Sequence, residues 1–84
     1  MTPAAARDLL MTCLGEIAPD ADLAALPPGA DLRRDLDLDS MDVFNLVAAL
    51  AEQGGVEIPD RDAAQLVSVD AAVAYLAGAR PARA

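Results

Sequence analysis

From Thr2 to Pro19 the apolar residues return every three or four positions. Ala6, Leu9, Leu10, Cys13, Leu14 and Ile17 share one arc of a helical wheel, and Arg7, Asp8 and Thr12 fall outside it. Thr2 followed by Pro3 reads as a helix start: threonine caps, and proline at the first helical position gives up an amide that has no intrahelical partner. Pro19 ends the segment. In a chain of 84 residues, such a helix restricts the fold to one small domain built around a single core. Large side chains are scarce. Of 46 hydrophobic residues 20 are Ala, so 26 must build the core, with Leu the commonest and only one Phe and one Tyr. An aliphatic, Ala- and Leu-rich chain points to helices rather than sheets.

The rest of the pattern agrees. Residues 20–38 contain Pro27, Pro28 and Gly29 and show no helical period. Leu23, Leu26, Leu32, Leu36 and Leu38 are spaced through this long segment, and we expect them to pin it as an ordered loop. A second helix starts at Asp39 or Ser40, with Asp39 as cap and Asp42 near its positive end, and stops at Gly54-Gly55. Residues 56–59 form an extended link and 60–66 a brief helical turn. A last helix opens at Val67 or Ser68 with Val69, Val73 and Leu76 on its apolar stripe. The expected fold is an all-α, small four-helix bundle: three main helices plus one short, with a long ordered loop between the first two. The single domain spans 1–84, with its core over about 3–77 and a flexible tail at 78–84.

Charge excludes several functions. Fourteen acidic residues oppose six basic ones, all Arg, for a net charge of −8. Nucleic-acid binding needs a basic face, and anionic membranes repel such a chain. There is no His and no Lys, which removes the usual general bases, amine nucleophiles and imidazole ligands. The single Cys13 has no disulfide partner within the chain, and no apolar run is long enough for a signal or a span. A cytoplasmic, monomeric protein is the expectation. Asp35, Asp37 and Asp39 have the alternate spacing of a calcium loop, but Ser40 stands where that pattern needs Gly and Leu46 where it needs Glu, so no metal site is expected.

The informative segment is Leu36-Asp37-Leu38-Asp39-Ser40-Met41-Asp42. It places a serine at a helix start after a long loop, among acids. Ser40 is either a plain capping residue or an exposed hydroxyl presented for modification; without a base it is no hydrolytic nucleophile. On the second helix, Val43, Leu46, Val47 and Leu50 form one apolar stripe. Met41, Phe44, Ala48 and Ala51 form another, which either packs on a second neighbour or stays exposed beside Ser40 as a docking surface rimmed by acids.

Asp39-Ser40-Met41-Asp42 resembles the Asp-Ser-Leu-Asp motif of acyl carrier proteins. Glu57-Ile58-Pro59-Asp60 resembles that family's link after the second helix, and Ser68 through Leu76 its last helix, Tyr75 included. The resemblance covers about residues 3–77. It implies a four-helix bundle that is not an enzyme. It implies that a phosphopantetheinyl transferase moves 4'-phosphopantetheine from coenzyme A to Ser40. The arm then carries acyl groups as thioesters to fatty-acid, polyketide or related biosynthetic enzymes. It further implies that basic patches of partner enzymes meet Asp39, Met41, Asp42, Phe44, Ala48 and Glu52. Val43, Val47, Leu50, Ile58 and Leu66 are the expected liners of an acyl cavity. The chain departs from the family at Asp37, where Gly is common, at Asn45 and Ala51, where many members have Glu, at Phe44, usually aliphatic, and at Gly54, often an aromatic. Gly54 leads us to expect a looser helix end. Two other readings remain: a carrier for aminoacyl or hydroxyacyl units in a specialised pathway, and an acidic helical interaction module that is never modified.

Overall fold

Each long helix begins on a side-chain cap that the sequence supplies. In the computed structural model, which describes residues 1–81, Thr2 Oγ1 accepts from the Ala5 amide at 3.1 Å and opens α1 (Pro3–Ile17). Asp39 caps α3 (Ser40–Gly54), and Ser68 Oγ accepts from the Ala71 amide at 3.1 Å to open α4 (Val69–Ala77). Between α1 and α3 lie a 3-10 turn at Leu23–Ala25 and a one-turn helix, α2 (Leu32–Asp35). A 3-10 helix at Asp60–Gln65 precedes α4 and is the expected short element at 60–66.

α1 packs against both α3 and α4. Their apolar stripes meet in a core of Leu10, Cys13 and Leu14 from α1, Leu46 and Leu50 from α3, and Val69, Ala72 and Leu76 from α4, with Leu32 closing one end. The molecule is the small all-α bundle expected. Among the described residues, the only strand-like pairings are two isolated bridges, Asp31 with Ser68 and Val56 with Pro81.

The long loop is ordered by its leucines and by backbone bonds. Leu32 and Leu38 are buried, and Leu23, Leu26 and Leu36 pack partly buried against the core. The Leu32 amide donates to the Val67 carbonyl at 2.9 Å, and the Asp70 amide to the Pro28 carbonyl at 3.0 Å. These bonds fasten the loop to the start of α4.

Three features differ from expectation. First, α2 stands inside what reads as irregular loop. It is capped by Asp31, whose carboxylate accepts from the Arg34 amide at 3.1 Å, and a single turn is too short to show a period. Second, the first part of the expected tail has backbone partners. The Glu57 amide donates to the Arg80 carbonyl at 2.9 Å and Pro81 pairs with Val56, so 78–81 lies along the link that follows α3. The rest of that expectation, 82–84, falls outside the described residues. Third, Gly54 tightens the helix end rather than loosening it. A Cβ there would stand 2.6 Å from Leu9 Cδ2 and 3.5 Å from Val56 Cγ2, so its absence permits close approach of α1. Gly55 then ends α3 at φ +61°, a left-handed cap that glycine adopts without strain.

Candidate functional site

The chain enters α3 through a constrained turn. Asp37 holds φ +53°, the left-handed region. The resemblance noted above puts Gly at this position, and aspartate is one of the few other residues that tolerates it. Leu38 is fixed twice, by its buried side chain and by its amide, which donates to the Arg33 carbonyl at 2.8 Å. Asp39 and Asp42 then form a reciprocal capping box. Asp39 Oδ1 accepts from the Asp42 amide at 2.8 Å, and Asp42 Oδ2 accepts from the Asp39 amide at 3.2 Å. Ser40 is the first residue of the helix that this box locks, and it is exposed. The two readings of Ser40 therefore separate: the cap is Asp39, and the serine hydroxyl is not used for capping.

Beside Ser40 is a groove of about 190 Å³, lined by Ser40, Val43, Phe44, Val47, Asp60 and Ala63. Of the five liners expected for an acyl cavity, Val43 and Val47 are here. The other three are elsewhere. Leu50 is fully buried in the core, Leu66 is buried in it, and Ile58 packs against it. The sequence identifies these residues as apolar but not which neighbour they meet. Asp60 and Ala63 are the liners that sequence reasoning missed; they are brought in by the 3-10 helix after Pro59, and no periodic signal marks them. Two larger cavities, about 460 Å³ between Glu57, Tyr75 and Arg80 and about 510 Å³ between Pro3 and Asp70, do not include Ser40.

The expected partner-contact residues form one face. Met41, Phe44, Ala48 and Glu52 recur at spacings of three, four and four along α3, and all are exposed. Met41 is 66% and Phe44 61% exposed, so the second apolar stripe is surface at Met41, Phe44 and Ala48, while its last member, Ala51, is half-buried. Asp39 and the half-buried Asp42 stand at the helix start beside it.

Two groups have shifted acidities, neither at Ser40. Burial, with a smaller contribution from Glu16, pushes the Cys13 thiol up, which suits a buried, unreactive residue. Burial, the hydrogen bond to Asp62 and the nearby carboxylates push the Tyr75 hydroxyl up to about 12. Among the described residues, no three acidic or cysteine side chains converge to hold a metal ion, and no helix is long and apolar enough to cross a membrane.

Comparison with known proteins bears on the whole domain. Residues 5–76 match the family described as phosphopantetheine attachment site. The acyl carrier protein of Helicobacter pylori (strain G27) is 44% identical over 57 residues, covering 68% of this chain and 73% of that protein. The chain belongs to the acyl carrier protein family. The acyl carrier protein of Rubrobacter xylanophilus is 36% identical over 73 residues, 83% of this carrier and 90% of that protein. The mitochondrial acyl carrier protein 2 of Arabidopsis thaliana is 43% identical over 56 residues, 67% of this carrier but 44% of that longer protein. Membership makes the chain a carrier rather than an enzyme, with 4'-phosphopantetheine as its covalent prosthetic group. The residues present fit that group: an exposed hydroxyl on a rigid helix start opens beside an apolar groove.

Proposed function

We propose that Ser40 carries the 4'-phosphopantetheine arm and that the chain delivers acyl thioesters to fatty-acid, polyketide or related biosynthetic enzymes in the cytoplasm. The observation that carries this reading is the capping box. It leaves the Ser40 hydroxyl uncommitted while fixing the backbone on both sides of it. In the loading step, a phosphopantetheinyl transferase joins Ser40 Oγ to the phosphorus that bears pantetheine in coenzyme A. The bond from that phosphorus to the bridging pyrophosphate oxygen breaks, adenosine 3',5'-bisphosphate leaves with that oxygen, and the hydroxyl proton passes to the transferase. The positive end of α3 favours an anionic ester on this oxygen. The arm then supplies a terminal thiol for the cargo.

Partner encounter is supported by the face described above. Met41 and Phe44 give an apolar contact, with Ala48 leaving room between Phe44 and Glu52, and Asp39, Asp42 and Glu52 attract basic patches. Val43, Val47 and Ala63 give a sheltered wall for cargo next to the attachment oxygen. The net charge of −8 opposes self-association and supports a monomer. The test is an intact mass after incubation with coenzyme A, magnesium and a broad-specificity transferase, with Ser40→Ala alongside. A gain of one phosphopantetheine in the wild type only is expected. No gain in folded wild-type protein overturns the reading and leaves an unmodified acidic docking module.

A further inference from the structure

One wall of the groove beside Ser40 is the 3-10 helix Asp60–Gln65, through Asp60 and Ala63. By itself this element is weak. Its hydrogen bonds have poorer geometry than those of an α-helix, and none of its residues is fully buried. Ala63 packs partly buried on the core, and Leu66 is buried just beyond the end. The side-chain bond that ties its middle to another element is Tyr75 Oη donating to Asp62 Oδ2 at 2.6 Å. The other Asp62 oxygen accepts from Gln65 Nε2 at 3.3 Å, within the turn. Tyr75 stands on α4, which is anchored by the buried Val69, Ala72 and Leu76. A firm element therefore holds a soft one from outside the groove, whose lining includes neither Tyr75 nor Asp62.

We infer that the Tyr75–Asp62 bond is a latch on the movable wall of this groove, setting how much of a bound chain the groove shelters. The inference rests on the reading of Ser40 as the attachment point. While the latch is made, the wall stays against α3 and the groove remains small. When it breaks, the 3-10 helix swings away from Val43 and Val47 and a longer chain enters. Tyr75 touches neither arm nor cargo, so it is a positioning residue. Glu57, Arg61 and Asp62 are the charged groups that face its hydroxyl, which remains a protonated donor at neutral pH.

The first readout is amide hydrogen exchange in the unloaded protein. The Asp62 and Leu66 amides donate to the Pro59 and Ala63 carbonyls at 2.9 and 3.1 Å and report opening of the 3-10 helix. Tyr75→Phe should speed their exchange about 3- to 10-fold while the Leu10 and Leu50 amides exchange as in the wild type. Asp62→Ala, which also removes the Gln65 bond, should speed it at least as much, and the double variant should exchange no faster than Asp62→Ala alone. That non-additivity distinguishes a latch from general loosening. Should Tyr75→Phe disturb the core amides as well, Asp62→Ala decides by the same criterion. The second readout is hydroxylamine cleavage of a lauroyl thioester on the loaded protein, which should slow in Tyr75→Phe as the widened groove shelters more chain. Unchanged exchange at Asp62 and Leu66, or unchanged or faster cleavage, overturns the latch. Failure of the wild type to load would strike the attachment reading alone, since the exchange result is obtained without it.

Discussion

Replacing Asp39 separates two roles that meet at one side chain. Its Oδ1 accepts from the Asp42 amide at 2.8 Å, a short bond from a charged acceptor at the positive end of α3. The reciprocal bond from the Asp39 amide to Asp42 Oδ2 is longer, at 3.2 Å, and survives truncation of Asp39. Asp39→Ala should therefore cost about 1 kcal/mol, the usual value of an N-cap, and no more than about 2. For a domain of this size that corresponds to a fall in Tm of roughly 4–8 °C per kcal/mol. Asp39→Asn keeps an oxygen acceptor and should cost only a few tenths of a kcal/mol. Both variants lose the charge. Thermal unfolding followed by far-ultraviolet circular dichroism gives the stability, and the rate of transferase modification gives the encounter. We expect Ala to lose both and Asn to lose only the rate. Equal stability of Ala and wild type, or Asn as damaging as Ala, would refute the assignment of Asp39 as the cap.

Leu50→Ala should cost about 3 kcal/mol, because Leu50 is fully buried between helices. Phe44→Ala, at 61% exposure, should change stability by less than about 0.5 kcal/mol yet weaken binding to partner enzymes; denaturation and a binding titration check the pair. Gly55→Ala should cost about 1–2 kcal/mol from its φ of +61° alone, since a Cβ there meets nothing. Asp37→Ala should cost about 1 kcal/mol for the same reason while Asp37→Gly holds or gains slightly, as urea denaturation would show. The Tyr75 hydroxyl, raised from 10.0 to about 12, favours the protonated folded state, so its contribution is complete below pH 10 and lost as pH rises towards 12. Cys13, also raised, adds its own alkaline loss in any variant. The measure is therefore the difference between wild-type and Tyr75→Phe stability curves, which should shrink across that window.

The long helices were legible because each combines a cap with a 3.6-residue stripe: Thr2-Pro3 before Ala6 to Ile17, Asp39 before Val43 to Leu50, and Ser68 before Val69 to Leu76. An exposed serine at the start of the second long helix was legible from its motif and from its place after a leucine-studded loop. Tertiary contact decided what remained hidden. Leu50 and Leu66 are apolar, which suits a cavity wall as well as a core, and only packing shows that they lie in the core. Asp60 stands in the sequence only as the end of the Glu57-Ile58-Pro59-Asp60 link, and the chain direction after Pro59 brings it to the groove. Gly54 reads as a weakness in isolation, and its worth is the space it gives Leu9 from another helix. Pro81 carries no strand signal, and its pairing with Val56 depends on where α4 ends.

The central claim is that Ser40 is the attachment point. Trypsin cuts after Arg34 and Arg61, and between them Ser40 is the sole hydroxyl-bearing side chain. The decisive measurement is the mass of peptide 35–61 after incubation of the protein with coenzyme A, magnesium and a phosphopantetheinyl transferase. The account predicts that this peptide, and no other, gains one phosphopantetheine. A gain on a different peptide, or none on 35–61 in folded protein, would contradict it.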